Sequence, residues 1–358
     1  MTTSLNSTLT SPPAPFLYKE KGVRRLRVAL FGFGVVGTGV WNVLHEQRAA
    51  FRKQFNAEIE IAGICVRDLE KPRLASAPAE LITTRAAQLL EDDSIDVVIE
   101  LIGGRYEAAS VIERALEGRK HVITANKLVL AHELPRLSAI AERHGVELLY
   151  SASVCGSVPV LQALDELRTR DTIRKISGIV NGSTNFILTM MSDSLNAPPP
   201  FQGGGRGVVD FSDAVAEARR RGFLEADASL DLSGADAAQK LSVLAYHAFG
   251  EHVRPHEIVT EGIERITSED IRMALTNGET IKLIASASQN SETGKVEATV
   301  RPHRVPLTHL FAHTRDEFNA LEIETQHAGP QVLYGKGAGS LPTASAVTSD
   351  LVSLLREE

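Results

Sequence analysis

The stretch LFGFGVVGTGVWNVLHE, residues 30–46, changes character in its middle. A β-branched, apolar run beginning LRVALF meets glycine at Gly32, Gly34 and Gly37, and a helical pattern follows. A G-x-G-x-x-G segment that closes a strand and opens a helix lets backbone N–H groups approach a pyrophosphate. The missing β-carbons leave room, and the helix N-terminus supplies partial positive charge. The amides near Phe33, Val35 and Val36 are the candidate donors. A tight packing turn would carry the same glycines, so the rest of the chain must decide.

Strand-like and helix-like segments alternate from about residue 26 to residue 155. EIEIAGICVRD, SIDVVIELIGG, HVITANK and VELLYSASV read as strands with their end signals, and the first helix is expected to run unbroken from 35 to 55. Such alternation implies a parallel sheet covered on both faces. After residue 155 the rhythm changes. Helices are expected at SVPVLQALDELRT, 211–221 and 234–249, and strands at TIKLIASASQ, KVEATVRPHRV and ALEIETQ. A glycine turn then leads into a terminal helix. The fold class is therefore α/β, with a Rossmann-type parallel-sheet domain followed by an α+β domain. The 358 residues suit two domains.

The second strand ends ICVRD. Arg67 there suits the 2′-phosphate of NADP, while Asp68 beside it leaves NAD open. Lys127 follows the HVIT strand, on the side where parallel sheets bind ligands. RGFLEADASLDLSGADAAQKLSVLAYHAFG concentrates Glu225, Asp227, Asp231, Asp236 and Lys240. Asp236 and Lys240 are i and i+4 on one helix face, with His247 further along. A surface ion pair would show the same spacing. Cys155 admits a nucleophile reading, but no histidine stands near it in sequence.

The net charge of −7 gives no reason to expect a nucleic-acid partner. Two cysteines, Cys65 and Cys155, form no disulfide framework and fit a reducing cytoplasm. The first residues lack a signal-peptide pattern, and no run is long and apolar enough to span a membrane. Residues 1–24 read as a flexible tail, and the proline- and glycine-rich stretch 197–209 reads as a mobile loop.

Taken in order, GFGVVG, ELIGG, TANK, SASVCGSVP, GIVNGSTNFILT, RRGFLEADASLDLSGADAAQKL and GKGAGSLPTASAVTSDL resemble homoserine dehydrogenase from about residue 26 to the C-terminus. The resemblance implies reversible reduction of L-aspartate 4-semialdehyde to L-homoserine with NADP or NAD, on the route to threonine, methionine and isoleucine. It implies Lys240 as proton donor and acceptor, and Lys127 at cofactor and substrate. Glu225 and Asp236 would bind the substrate, with Asp231 beside them. Ile102 and Gly103 would border the nicotinamide, and Gly222 and Gly339 would approach the cofactor. A monovalent cation, sodium by family habit, would be held by carbonyls at Ser151, Val154, Gly156 and Val158. Ser151 replaces the usual glutamate there and Cys155 a usual glycine, and Ala228 replaces the proline after EAD.

The expected organisation is an NAD(P)-binding domain at 25–155 and a substrate and dimerisation domain at 156–328. Residues 329–358 would return to the first domain. A homodimer is the family expectation, with contacts between 255 and 325. No kinase or C-terminal regulatory domain is expected, and hence little inhibition by L-threonine beyond weak competition. Two other readings stay open: a cysteine-dependent aspartate-semialdehyde dehydrogenase, and a dinucleotide-binding sensor without turnover.

Overall fold

The computed structural model describes residues 18–20, 22–75, 77–196, 209–224, 227–290 and 292–356. The chain divides into two compact units. The first comprises Met1–Thr124, Pro135–Leu149 and Leu351–Glu358, and the second Ala125–Leu134 and Tyr150–Asp350.

The first unit runs β1 (Tyr18–Glu20), β2 (Val23–Phe31), α1 (Val35–Glu46), α2 (Arg48–Phe55), β3 (Ala57–Cys65), β4 (Ile82–Thr83), α3 (Ala86–Leu90), β5 (Val97–Glu100), α4 (Tyr106–Glu117), β6 (His121–Thr124), the second half of α5 (Lys127–His144) and β7 (Leu148–Leu149). Six strands lie in the order β4-β3-β2-β5-β6-β7, all parallel. β2 runs LRVALF with Val28, Ala29, Leu30 and Phe31 fully buried, as a strand covered on both faces requires. The order reverses between β2 and β5, and the carboxyl ends of strands at such a switch point form a crevice.

Several boundaries differ from expectation. β1 pairs antiparallel with β2, Tyr18 opposite Arg25, so strand structure occupies 18–20 and 23–24 of the span read as tail; residues 1–17 lie outside the described ones. The helix expected at 35–55 breaks at Gln47, where no glycine or proline announces it. β4 and α3 were not foreseen, being too short to show a period. α5 begins at Lys127 itself, because the Asn126 side chain accepts the Val129 N–H at 3.2 Å and caps the first turn.

The second unit holds the first half of α5 and continues with α6 (Val160–Arg170), β8 (Ile173–Ile179), α7 (Gly182–Asn196), α8 (Phe211–Arg220), α9 (Ser229–Leu232), α10 (Ala235–Phe249), β9 (Val259–Thr260), α11 (Ser268–Thr276), β10 (Glu279–Gln289), β11 (Val296–Pro306), β12 (Phe318–Thr325), β13 (Gly329–Lys336) and α12 (Ser340–Arg356) as far as Asp350, the end of that helix from Leu351 belonging to the first unit. Its sheet has the order β13-β12-β8-β10-β11-β9, antiparallel except where β9 meets β11. α10 packs on β8, β10 and β11, and α7 on β10 and β12. The glycine turn expected from Tyr334 starts later: pairing with β12 from Thr325–Gly329 to Phe318–Lys336 makes 329–336 a strand of this sheet. Gly178 is the residue that lets β8 and β12 meet, since a β-carbon there would lie 2.1 Å from Ala320 O. The stretch 197–208 lies outside the described residues.

Candidate active site

Two sets of functional residues are built, one in each unit. In the first, a cavity of about 760 Å³ opens at the carboxyl ends of β2, β3 and β5. Gly32, Phe33, Gly34 and Val35 line it, with Cys65, Arg67, Asp68, Lys71, Leu101 and Ile102. The three glycines do three different jobs. Gly32 has φ +102, and a β-carbon on it would lie 2.6 Å from Leu101 O. Gly37 brings α1 against the strand end, its hypothetical β-carbon 2.3 Å from Gly32 O. Gly34 has nothing within 4 Å of that position and an ordinary φ of −88. Neither packing nor backbone strain demands the middle glycine, so its missing β-carbon keeps space open on the cavity side. No side chain caps α1, and its first turn holds no acid, which suits an anionic group. Val36, the fourth residue after Gly32, belongs to that same first turn but not to the lining. These observations fit a dinucleotide pyrophosphate.

Arg67 lies where its strand position predicted, and Lys71 joins it in the lining. The Arg73 guanidinium is occupied differently: it donates to the backbone carbonyls of Asp68, Leu69 and Lys71 and shapes the loop. On the β5 side the buried Glu100 carboxylate accepts the Ile102 N–H at 2.7 Å and the Thr124 hydroxyl at 2.7 Å. It thereby fixes the turn before Gly103, which has φ +77 and open space around it.

In the second unit, Lys127, Asp231, Asp236 and Lys240 come together. Asp236 opens α10 one residue after Ala235, where the helix dipole favours an acid. Its Oδ2 lies 2.8 Å from Lys240 Nζ and its Oδ1 3.1 Å from Lys127 Nζ. The Lys240 side chain is 13% exposed and that of Asp236 10%, so this is not the surface pair the spacing allowed. Lys127 is 37% exposed. Burial alone would push the Lys240 ammonium toward deprotonation; the Asp236 carboxylate reverses this, and the pKa ends above the ordinary lysine value. Burial alone would likewise raise Asp236, but the two lysines hold it well below the usual carboxylate range. Lys240 also donates to Val180 O at 2.9 Å.

Asp231 lies on α9 beside this pair. Its carboxyl is raised, mainly by burial, with the Asp236 charge adding to it. Asn181, absent from the residues picked out by sequence, donates to Asp231 Oδ1 at 2.6 Å and to Asp236 Oδ2 at 2.8 Å. The available signal was Asn-Gly-Ser-Thr between a strand and a helix, an N-cap pattern. Asp227 is exposed and accepts the Ser229 N–H instead. Glu225 lies outside the described residues. His247 is not in the cluster: its ring meets the Tyr150 hydroxyl at 3.0 Å and Asp165 at 2.8 Å. Gly222 (φ +77) and Gly339 (φ +124) both hold conformations that side chains resist.

The Ser151–Val158 turn is tightly built. Cys155 (φ 54) and Gly156 (φ +57) are consecutive left-handed residues, and Gly156 sits against Gly337, whose carbonyl carbon a β-carbon would approach to 2.6 Å. The Val158 carbonyl accepts the Val160 N–H, whereas those of Val154 and Gly156 accept no hydrogen bond among the described residues. Ser151 N–H donates to the buried Asp350 carboxylate at 3.0 Å. Buried carbonyls left open in this way suit a cation without a protein charge. Among the described residues no group of three or more His, Cys, Asp or Glu side chains could hold a metal.

Cys155 is 1% exposed, and burial pushes its thiol up to about 11. That removes the thiolate a thioester mechanism requires. Among the described residues no helix is long and apolar enough to cross a membrane.

Comparison with known proteins agrees with this geometry. A family model described as "Homoserine dehydrogenase, NAD binding domain" matches residues 32–151, and one described as "Homoserine dehydrogenase" matches 159–352. A homoserine dehydrogenase of Corynebacterium glutamicum is 39% identical over 354 residues, covering 98% of this chain and 76% of its own length. One of Bacillus subtilis is 37% identical over 334 residues, covering 93% and 74%. The crystal structure of a homoserine dehydrogenase from Thiobacillus denitrificans superposes with a TM-score of 0.83 at 36% identity, covering 93% of this chain and 74% of that one.

Proposed function

The chain belongs to the homoserine dehydrogenase family, and on that premise we propose how its residues serve the reversible reduction of L-aspartate 4-semialdehyde to L-homoserine with NAD(P)H. One observation carries the proposal. Two lysines stand on the two oxygens of a single buried carboxylate, and the more buried of them, Lys240, is held in its charged form.

When bound, the dinucleotide supplies a hydride to the aldehyde carbon. Negative charge then grows on the carbonyl oxygen, which takes a proton from the Lys240 ammonium. Asp236 keeps that ammonium charged in a place where burial would otherwise strip its proton. Asp231 and Asp236, with Glu225, receive the substrate's α-ammonium, and Lys127 its α-carboxylate. In the reverse direction Lys240 must act as the free amine, so oxidation of homoserine gains from alkaline pH.

Arg67 and Lys71 favour NADP over NAD, because both line the cavity beyond β3 where a 2′-phosphate would sit. The carbonyls of Ser151, Val154, Gly156 and Val158 are assigned to a monovalent cation such as sodium, those of Val154 and Gly156 being the best placed because they accept no hydrogen bond among the described residues. The chain is read as a cytoplasmic homodimer. Its two free cysteines support the first part. The second is supported by the exposed apolar side chains Val259, Leu307, Leu310 and Tyr334 on the second unit. Light scattering tests the dimer.

The deciding experiment is oxidation of L-homoserine with NADP and with NAD at alkaline pH, repeated with Arg67→Ala. Wild-type turnover is expected, with the variant losing affinity for NADP by about tenfold and for NAD far less. Equal losses for both cofactors would remove Arg67 from the 2′-phosphate.

A further inference from the structure

We propose that Asn181 is a positioning residue of this reaction: its single carboxamide, fixed as the N-cap of α7, holds the Asp231 and Asp236 carboxylates side by side for a substrate ammonium. The proposal rests on the role given to those two aspartates above.

Asn181 is 3% exposed, between the end of β8 and the start of α7. Its Oδ1 accepts the Thr184 N–H at 2.8 Å and the Thr184 hydroxyl at 3.0 Å. A backbone N–H can only donate, so the amide oxygen must face the helix and the nitrogen must face away. The two N–H groups then reach Asp231 Oδ1 at 2.6 Å and Asp236 Oδ2 at 2.8 Å. All four hydrogen-bonding positions of the amide are used. The helix cap therefore sets the separation of the two carboxylates.

The choice of an amide has a chemical consequence. Two carboxylates drawn onto one group repel, and a lysine or arginine in that place would relieve the repulsion. It would also neutralise the charge meant for the substrate and compete with its ammonium. A third acid would worsen the repulsion. A neutral group with two donors stabilises both anions and leaves the charge of Asp231, which has no lysine of its own in these contacts, available. The two partners do not depend on it equally. Asp236 has two lysines within 3.1 Å. Asp231 is raised by burial and by Asp236, and the Asn181 hydrogen bond is the leading influence holding it down. Losing Asn181 therefore falls mainly on Asp231, which gains a proton and ceases to attract an ammonium.

Asn181→Ser keeps a capping oxygen for Thr184, adds no charge and is too short to bridge both carboxylates. The acid limb of kcat/KM for L-homoserine should move up by about one pH unit, a tenfold loss on that limb, with the alkaline plateau near wild type. In the protein without ligands, the ¹³C carboxyl titration of Asp231 should move by the same amount. Asn181→Asp, an equally good cap without donors, should displace both further, and it stands in if the serine variant fails to fold. A uniform loss at every pH with an unmoved Asp231 titration would make Asn181 a cap alone and overturn the proposal. The titration needs no turnover. Absent wild-type homoserine oxidation would therefore sink the proposed function while leaving the hold of Asn181 separately readable.

Discussion

Replacing Lys240 with methionine separates the proposed proton donor from everything around it. Methionine matches the lysine stem in length and volume, so α10 should keep its packing. Two interactions disappear, the 2.8 Å contact with Asp236 and the 2.9 Å bond to Val180 O. Asp236 is not stranded, because Lys127 and Asn181 still hold it. The remaining cost is one carbonyl without its donor, about 1–3 kcal/mol, which lowers the thermal midpoint without unfolding the protein. The kinetic cost is of another kind. A positioned proton donor contributes about 10²–10⁴ in rate, or about 2.7–5.4 kcal/mol of barrier at 1.36 kcal/mol per decade.

The assay is steady-state homoserine oxidation with saturating NADP, beside a fluorescence titration of NADPH. Lys240 is not among the residues lining the cavity of the first unit, so NADPH affinity should stay within about twofold. Lys127→Met is the control: it removes a half-exposed lysine from the other carboxylate oxygen and should raise KM more than it lowers kcat. A Lys240→Met enzyme that folds, binds NADPH and keeps more than a tenth of wild-type kcat would refute the assignment. The proton would then come from water or from Lys127.

Gly34→Ala should leave the thermal midpoint unchanged, since nothing lies within 4 Å of its β-carbon, yet weaken dinucleotide binding by about tenfold or more; Gly37→Ala meets Gly32 O at 2.3 Å and should lose about 1–3 kcal/mol of stability. Equal dinucleotide affinity in both variants would contradict this division of labour. Cys155→Ser should keep most activity, and alkylation of the native protein at mildly alkaline pH should mark Cys65, whose thiol is also raised by burial and by Glu107 but which is only half-buried in the cavity lining, slowed by NADP, rather than Cys155, which is 1% exposed and pushed up to about 11. The buried Lys282, bonded to Asn185, Thr189 and the Thr314 carbonyl, is lowered to about 7 by burial. Above that value and below the ordinary lysine pKa of about 10.4 the unfolded chain binds the extra proton, so the lysine's contribution to stability improves as pH rises through this window. Thermal midpoints between about pH 7 and pH 9 should therefore show a favourable slope in wild type that Lys282→Met lacks.

The first unit was legible because its function is written in backbone. Strand, glycines and helix are contiguous, so the cradle is contained in one short stretch, although the close approach of Gly32 to Leu101 needs the fold. Where the sequence failed there, the elements were too short for a period to show. β4 has two residues and α3 five. The start of α5 is hidden for a different reason: its cap, Asn126, stands immediately before Lys127 and directly after a strand end, with no polar linker to mark a new helix. β13 was hidden by glycines at both ends, and only pairing with β12 makes it a strand.

The lysine–carboxylate site shows where spacing stops being enough. Asp236 and Lys240 could be paired from one helix, but the same spacing is met on any solvated helix face. What turns the pair into a site is convergence. Asp231 stands on α9, just ahead of α10, but Lys127 arrives from the first turn of α5 and Asn181 from the junction of β8 and α7, segments that are far away in sequence. No periodicity encodes that meeting. It follows from α10 packing on β8 and from α7 being capped at its first residue. Burial then changes the chemistry of the pair. An exposed Asp–Lys pair is screened, whereas here the partner charges, strengthened by burial, outweigh the desolvation that would draw the two pKa values together and drive them apart, Asp236 down and Lys240 up. The ammonium proposed as donor is thus held charged by a carboxylate that these segments bring against it, and any substitution that lets water or space in beside Asp236 should lower the Lys240 pKa before it lowers stability.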